Sequence, residues 1–202
     1  MGKSYTVAIT GASGSIYGVR LVEELLKAGC YVSLVISDTG KKVLFHETGL
    51  NLCGTELETM KNVLKYFDKS GSITLFDNHN LFASIASGSH KNDGMIVVPC
   101  SMGALGRLAV GNSQNLIERT ADVMLKEKRR LILVPRETPL NQIHLENMLK
   151  LSIMYVDIVP AMPAFYQKPK SMEDLVDFVV GKILDLLKIE HQLFERWGSK
   201  QQ

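Results

Sequence analysis

From Val7 to Gly18 the chain reads Val-Ala-Ile-Thr-Gly-Ala-Ser-Gly-Ser-Ile-Tyr-Gly, and no other stretch restricts the possible folds so much. A β-branched apolar run from Tyr5 to Ile9 stops at Thr10-Gly11-Ala12-Ser13-Gly14-Ser15, after which Ile16, Val19, Val22, Leu25 and Leu26 recur at helical spacing. The order is strand, tight loop, helix. Small residues let backbone N–H groups come close to an anion, and the helix that follows points its positive end at the same spot. The turn reads either as a phosphate cradle or as a tight structural turn without a ligand.

The rest of the chain repeats the alternation. Tyr31–Ile36 predicts a second buried strand ending at Ser37-Asp38-Thr39-Gly40, and residues 41–48 predict a helix with Glu47 near its end. Ile73–Phe76 predicts a short strand, and Asp77–Ser89 a polar loop whose length suits function. Three further apolar runs, Met95–Val98, Leu131–Val134 and Val156–Val159, each end in proline and then a polar or small-residue loop. Helices are predicted over Asn115–Arg129 and Leu140–Met154, the second with Thr138-Pro139 as its start, and from Ser171-Met172-Glu173-Asp174 onward in capping-box manner. Strands alternating with helices imply a three-layer, doubly wound parallel sheet covered on both faces, with the ligand outside the carboxyl ends of the strands.

Size and charge narrow the function classes. With 202 residues, 46% of them hydrophobic, the chain suits one domain over 1–202, with residues from about 190 to 202 as a peripheral tail. Basic and acidic residues number 23 and 21, so no general nucleic-acid or membrane-surface binding is expected. Cys30, Cys53 and Cys100 are odd in number and widely spaced, which points to a reducing, cytoplasmic setting without structural disulfides.

Several constellations carry chemistry. The Gly-x-x-Gly turn is out of register with the dinucleotide fingerprint, and the second strand ends in Ser37 where a ribose clamp would want an acid; a hydroxyl suits a phosphate or a flavin edge. Arg119 and Lys126 lie two helical turns apart on one face, either as a solvated charged face or as site cations. Arg136-Glu137 between Pro135 and Pro139 is a charged pair of restricted backbone. It is either a surface ion pair or an anion-holding guanidinium with a proton-carrying carboxyl beside it. No metal is expected: Pro99-Cys100-Ser101-Met102-Gly103 lacks a second cysteine, and His144-Leu145-Glu146 is not a zinc helix motif. Cys100 reads as a small buried residue, its alternative as a nucleophile having no identifiable base.

Taken together, Gly11-Ala12-Ser13-Gly14 with Tyr17-Gly18, Pro99-Cys100-Ser101-Met102-Gly103, Asn115-Leu116-Ile117-Glu118-Arg119, Leu125-Lys126-Glu127, Leu133-Val134-Pro135-Arg136-Glu137-Thr138-Pro139-Leu140, Ile143-His144-Leu145-Glu146-Asn147-Met148 and Pro163-Ala164-Phe165-Tyr166 resemble the flavin prenyltransferase family. That family comprises the UbiX-type proteins and the B subunits of phenolic acid decarboxylases. The resemblance implies a flavodoxin-like (Rossmann-like) domain, assembled as a dodecamer, that joins a dimethylallyl group from dimethylallyl monophosphate to N5 and C6 of reduced FMN without a metal. The product, prenylated FMN, serves a UbiD-type decarboxylase. By matching positions, Gly11, Ala12, Ser13, Ser37, Ser101, Met102, Gly103, Ala104, Arg119 and Arg136 would bind FMN. Lys126, Arg136, Tyr166, Lys182 and Trp197 would meet the prenyl phosphate, with Ser13, Glu47, Lys126 and Glu137 catalytic.

Two positions depart from the pattern. Lys182 stands where many relatives carry arginine, which keeps charge but loses the forked phosphate geometry. Leu81-Phe82 stands where some carry tryptophan. Two alternative functions fit the same features: an FMN-carrying accessory subunit of an aromatic acid decarboxylase, and a flavin-dependent cysteine decarboxylase. The second would require a Pro-Ala-Ser-Ala-Asn-Thr block, which this sequence lacks.

Overall fold

The computed structural model describes residues 2–67 and 72–196. In chain order these residues form β1 (Ser4–Ile9), α1 (Ser15–Lys27), β2 (Tyr31–Ile36), α2 (Asp38–Thr48), α3 (Glu56–Phe67), β3 (Ile73–Phe76), β4 (Gly94–Cys100), α4 (Met102–Ala109), α5 (Leu116–Lys126), β5 (Arg130–Pro135), α6 (Gln142–Ile153), β6 (Asp157–Ile158) and α7 (Met172–Leu187). The six strands pair in parallel in the order β3-β2-β1-β4-β5-β6. This is the doubly wound arrangement the alternation implied, in its Rossmann strand order, and it puts the topological switch between β1 and β4.

Strand periodicity builds the two covered faces. Val7, Ile9, Leu34, Ile36, Ile96, Val98, Ile132 and Val134 face one core with α1 and α7, whereas Ala8, Val35, Met95, Val97, Leu131 and Leu133 face another with α4 and α5. Burial on both faces explains why these strands read as nearly continuous apolar runs. Each fully buried Ile or Leu contributes about 1.5–3 kcal/mol of transfer free energy, so the central strands are the fixed frame.

The carboxyl ends are tied to one another. The Thr10 hydroxyl donates to the Pro99 carbonyl at 2.8 Å and accepts from the Ser101 N–H at 2.8 Å. Ser37 N–H donates to the Ile9 carbonyl at 3.0 Å, and Arg136 N–H to the Cys100 carbonyl at 3.3 Å. Four loops are thereby held along one edge.

Three helix boundaries differ from expectation. α3 forms where no helix was expected; it buries only Thr59, Val63 and Phe67. α4 occupies residues read as loop. α6 starts at Asn141, whose side chain accepts from His144 N–H at 2.9 Å in a capping box, rather than at Thr138-Pro139. Of the expected peripheral tail, residues 190–196 are described, and part of them packs against α7. His191 Nε2–H donates to Asp185 at 3.2 Å with its side chain only 2% exposed, and the ring of Phe194 lies 5.2 Å from that of Phe178.

Candidate active site

The glycine turn holds an anion, but one from the chain itself. Gly14 sits at φ 107°, a conformation glycine adopts freely, and presents no side chain to cap α1. The carboxylate of Glu47, at the far end of α2, fills that role. It accepts from the Ser13 hydroxyl at 2.7 Å, from Gly14 N–H at 3.0 Å and from Ser15 N–H at 2.7 Å. Partial burial works to raise the Glu47 carboxyl, and the Ser13, Gly14 and Ser15 donors more than offset it, holding it below the usual carboxylate value. At the α1 end of this turn the donors of Gly14 and Ser15 are therefore already occupied by a charge.

Arg136 joins the β5 loop to this turn. Its Nε donates to the Ser13 carbonyl at 3.0 Å, which leaves the terminal guanidinium nitrogens for another acceptor. It makes no ion pair with Glu137, whose carboxylate accepts from Thr138 N–H at 3.0 Å. The surface-ion-pair alternative for this dipeptide is thus excluded. Arg136 stands between two hollows. One, of about 730 Å³, is lined by Ser13, Tyr17, Glu47, Pro163, Met172 and Val176 among others; a smaller one of about 290 Å³ is lined by Glu137, Leu140, Met148 and Met162.

On the other side of the Gly11 loop lies a cavity of about 470 Å³, where Thr10, Gly11, Ser37, Ser101 and Ala104 meet Asn78, Arg107 and Glu118. Ser37 caps α2 by accepting from Gly40 N–H at 3.1 Å, and Ser101 caps α4 by accepting from Ala104 N–H at 3.3 Å. Both hydroxyl protons remain for a ligand. Ala12 and Met102 are buried beside this edge, and Gly103 is exposed on it. Cys100 is buried, and burial pushes its thiol up to about 12, which suits a packing residue rather than a nucleophile.

Four expected site residues are not brought to this edge within one protomer. α5 begins at the cavity and runs about 15 Å away from it. It carries Lys126 to the opposite end of the sheet, beside Gly88 and ion-paired with Glu127. Arg119 donates to the Ala86 carbonyl at 3.2 Å and pairs with Asp122 at 2.9 Å. Tyr166 packs edge-on against Phe178 with ring centres 5.9 Å apart, and Lys182, one turn further along α7, lies 4.0 Å from Asp185. Neither Tyr166 nor Lys182 lines the hollows beside Arg136. Trp197 lies outside the described residues. Phe82 is fully exposed in its loop.

Sequence reasoning missed Asn78, Arg107 and Glu118 as cavity residues. Only Asn115, a capping residue ahead of an apolar periodic run, gave a local signal that a helix end pointed there.

Comparison with known proteins accords with this geometry. The Flavoprotein family profile matches residues 1–184. The flavin prenyltransferase UbiX of Halalkalibacterium halodurans is 58% identical over 196 residues, covering 97% of this chain and 94% of the relative. Among solved structures, AnUbiX (PadA1) in complex with FMN and dimethylallyl pyrophosphate superposes with a TM-score of 0.88 at 40% identity, covering 98% of this chain and 99% of that one. A dodecameric FMN-dependent UbiX-like decarboxylase from Escherichia coli O157:H7 superposes with a TM-score of 0.86 at 40% identity, covering 97% and 100%. The chain belongs to the flavoprotein family, in its UbiX-type flavin prenyltransferase branch.

Proposed function

We propose that the protein joins a dimethylallyl group to reduced FMN, forming prenylated FMN. The observation that carries this reading is the Arg136–Ser13–Glu47 cluster, where a cation with free donors and a hydroxyl bonded to an ionised carboxylate meet at the edge of a largely apolar hollow. Bound reduced FMN supplies nucleophilic ring positions, and the prenyl phosphate supplies the allylic carbon and the leaving group. Gly11, Ala12, Ser37, Ser101, Met102, Gly103 and Ala104 hold the flavin along the strand ends.

The residues divide the remaining tasks. Arg136 holds the departing phosphate oxygens by charge-assisted hydrogen bonds. Glu137 delivers a proton to them. Ser13 donates its hydroxyl proton to Glu47, which leaves its lone pairs free to accept a proton from the flavin. Arg119, Lys126, Tyr166 and Lys182 stand elsewhere in the protomer, so they complete the site from neighbouring copies. Support comes from the dodecameric assembly of the Escherichia coli relative and from the apolar side chains Ile143, Leu149 and Ile153 exposed on α6. The product goes to a UbiD-type decarboxylase in the cytoplasm, a setting consistent with three free cysteines.

Incubation with reduced FMN and either dimethylallyl monophosphate or the diphosphate tests the reading. A flavin heavier by one five-carbon unit, read by mass spectrometry, is expected with at least one donor. No mass gain with either would overturn it.

A further inference from the structure

The flavin phosphate needs a place, and the α1 end of the turn after β1 does not offer one, because Glu47 already takes the N–H groups of Gly14 and Ser15. Unspent donors gather at the 470 Å³ cavity, which Gly11 also lines and onto which α2 and α4 both open. The first N–H groups of a helix have no intrahelical acceptor, and the caps satisfy only Gly40 and Ala104. The α5 end is different. Asn78 accepts there from Leu116 N–H through its carbonyl at 2.8 Å and from Ile117 N–H through its Oδ1 at 3.2 Å. Asn78 is only 5% exposed, and its Nδ2 has no partner among the described residues while the residue lines the cavity. An amide donor open to the cavity in this way can meet an acceptor held there.

The same wall contains a carboxylate. Glu118 is 2% exposed and accepts from Gln114 N–H at 3.0 Å and from Arg107 Nε at 2.6 Å. A buried acid beside an anion site opposes binding unless a cation neutralises it. Bonding through Nε does that, and it also fixes the guanidinium so that both terminal nitrogens, which have no partner among the described residues, project as a fork. The rim acid Asp38 is likewise engaged, by His79 at 2.9 Å.

We infer that Arg107 binds the phosphate of FMN, with Glu118 as its positioning residue and Asn78 and the open ends of α2 and α4 as the remaining donors. This rests on the flavin reading above, and its test separates the two. Affinities of wild type, Arg107→Met, Glu118→Gln and the double variant Arg107→Met/Glu118→Gln are measured for FMN and for riboflavin by quenching of flavin fluorescence, with a thermal melt of each apoprotein. Loss of a charge-assisted fork is expected to weaken FMN binding by about 10- to 100-fold in both Arg107 variants while riboflavin binding stays unchanged. Glu118→Gln alone gives a smaller loss, again specific to FMN. Because Arg107→Met strands a buried carboxylate, the double variant keeps the test valid by removing that charge as well. Equal losses for FMN and riboflavin, or wild-type FMN affinity in the double variant, would overturn the assignment. Wild-type protein that binds neither flavin would overturn the flavin reading and this inference with it.

Discussion

Ser13 and Glu47 show how one hydrogen bond links a turn to a reaction. The Ser13 hydroxyl is committed as a donor to Glu47, so toward any ligand it acts as an acceptor. Ser13→Ala keeps the Gly14 and Ser15 bonds to Glu47 and removes only this function. Product formation is expected to fall about 10²- to 10⁴-fold, the usual range for a lost proton-transfer partner, with FMN affinity unchanged. Unchanged turnover would reduce Ser13 to a turn residue. Glu47 carries a second, pH-dependent consequence. Its carboxyl is held below the ordinary value in the folded chain, so it stabilises the fold above the unfolded value of about 4.3 and loses that contribution as pH falls through the folded value. Melting temperatures measured from about pH 5 to about pH 3 should therefore drop more steeply for wild type than for Glu47→Gln. Parallel curves for the two proteins would contradict this.

At the scale of elements, α1 lies so close to β4 that a Cβ on Gly18 would stand 2.5 Å from the Val98 carbonyl oxygen and 3.0 Å from Ile9. Alanine gains about 1 kcal/mol in helix propensity, but forcing a methyl group against backbone costs more, about 1–3 kcal/mol or above. Gly18→Ala is expected to lower the melting temperature by several degrees, at roughly 2–4 °C per kcal/mol for a chain of this size; an unchanged or higher value would show that α1 can shift away freely. The close fit also explains which elements the sequence revealed. β1, β2, β4 and β5 were legible because both faces are covered and nearly every residue of the run is apolar. α3 was not, since only Thr59, Val63 and Phe67 of it are buried while the apolar Leu57 and Tyr66 point outward, which blurs its apolar face. α4 was hidden by Gly103 and Gly106, which made its eight residues resemble a loop. In the site, single-loop groups such as Ser37, Ser101 and Arg136-Glu137 announced themselves by position at strand ends. Asn78 and Ile117 are 39 residues apart, and Arg107 and Glu118 are 11 apart on different helices. No local spacing encodes contacts of that kind.

The whole molecule presents an unequal distribution of chemistry. Ser13, Glu47, Arg136 and Glu137 gather at the carboxyl edge of the sheet, whereas Lys126 sits at the other end of α5 next to Gly88. A protomer acting alone has no route to bring these groups to one substrate without unfolding α5, whose Leu116, Ile117, Ala121, Val123 and Met124 are buried in the core. The closed assembly proposed above would resolve the separation, because symmetry sets the same two surfaces against each other at every interface. The exposed apolar residues Ile143, Leu149, Ile153 and Tyr155 on and after α6 supply surface for such contacts. A complementation experiment follows from this arrangement. Lys126→Ala and Glu137→Gln should each abolish prenylation. Mixed oligomers, formed by co-expression in equal amounts, should recover about a quarter of the wild-type rate, because a site drawing the two residues from different copies escapes both substitutions in one case of four. If both residues served the same site from one chain, every site would carry a defect and no rate would return, so the recovered fraction decides between a composite site and a self-sufficient protomer.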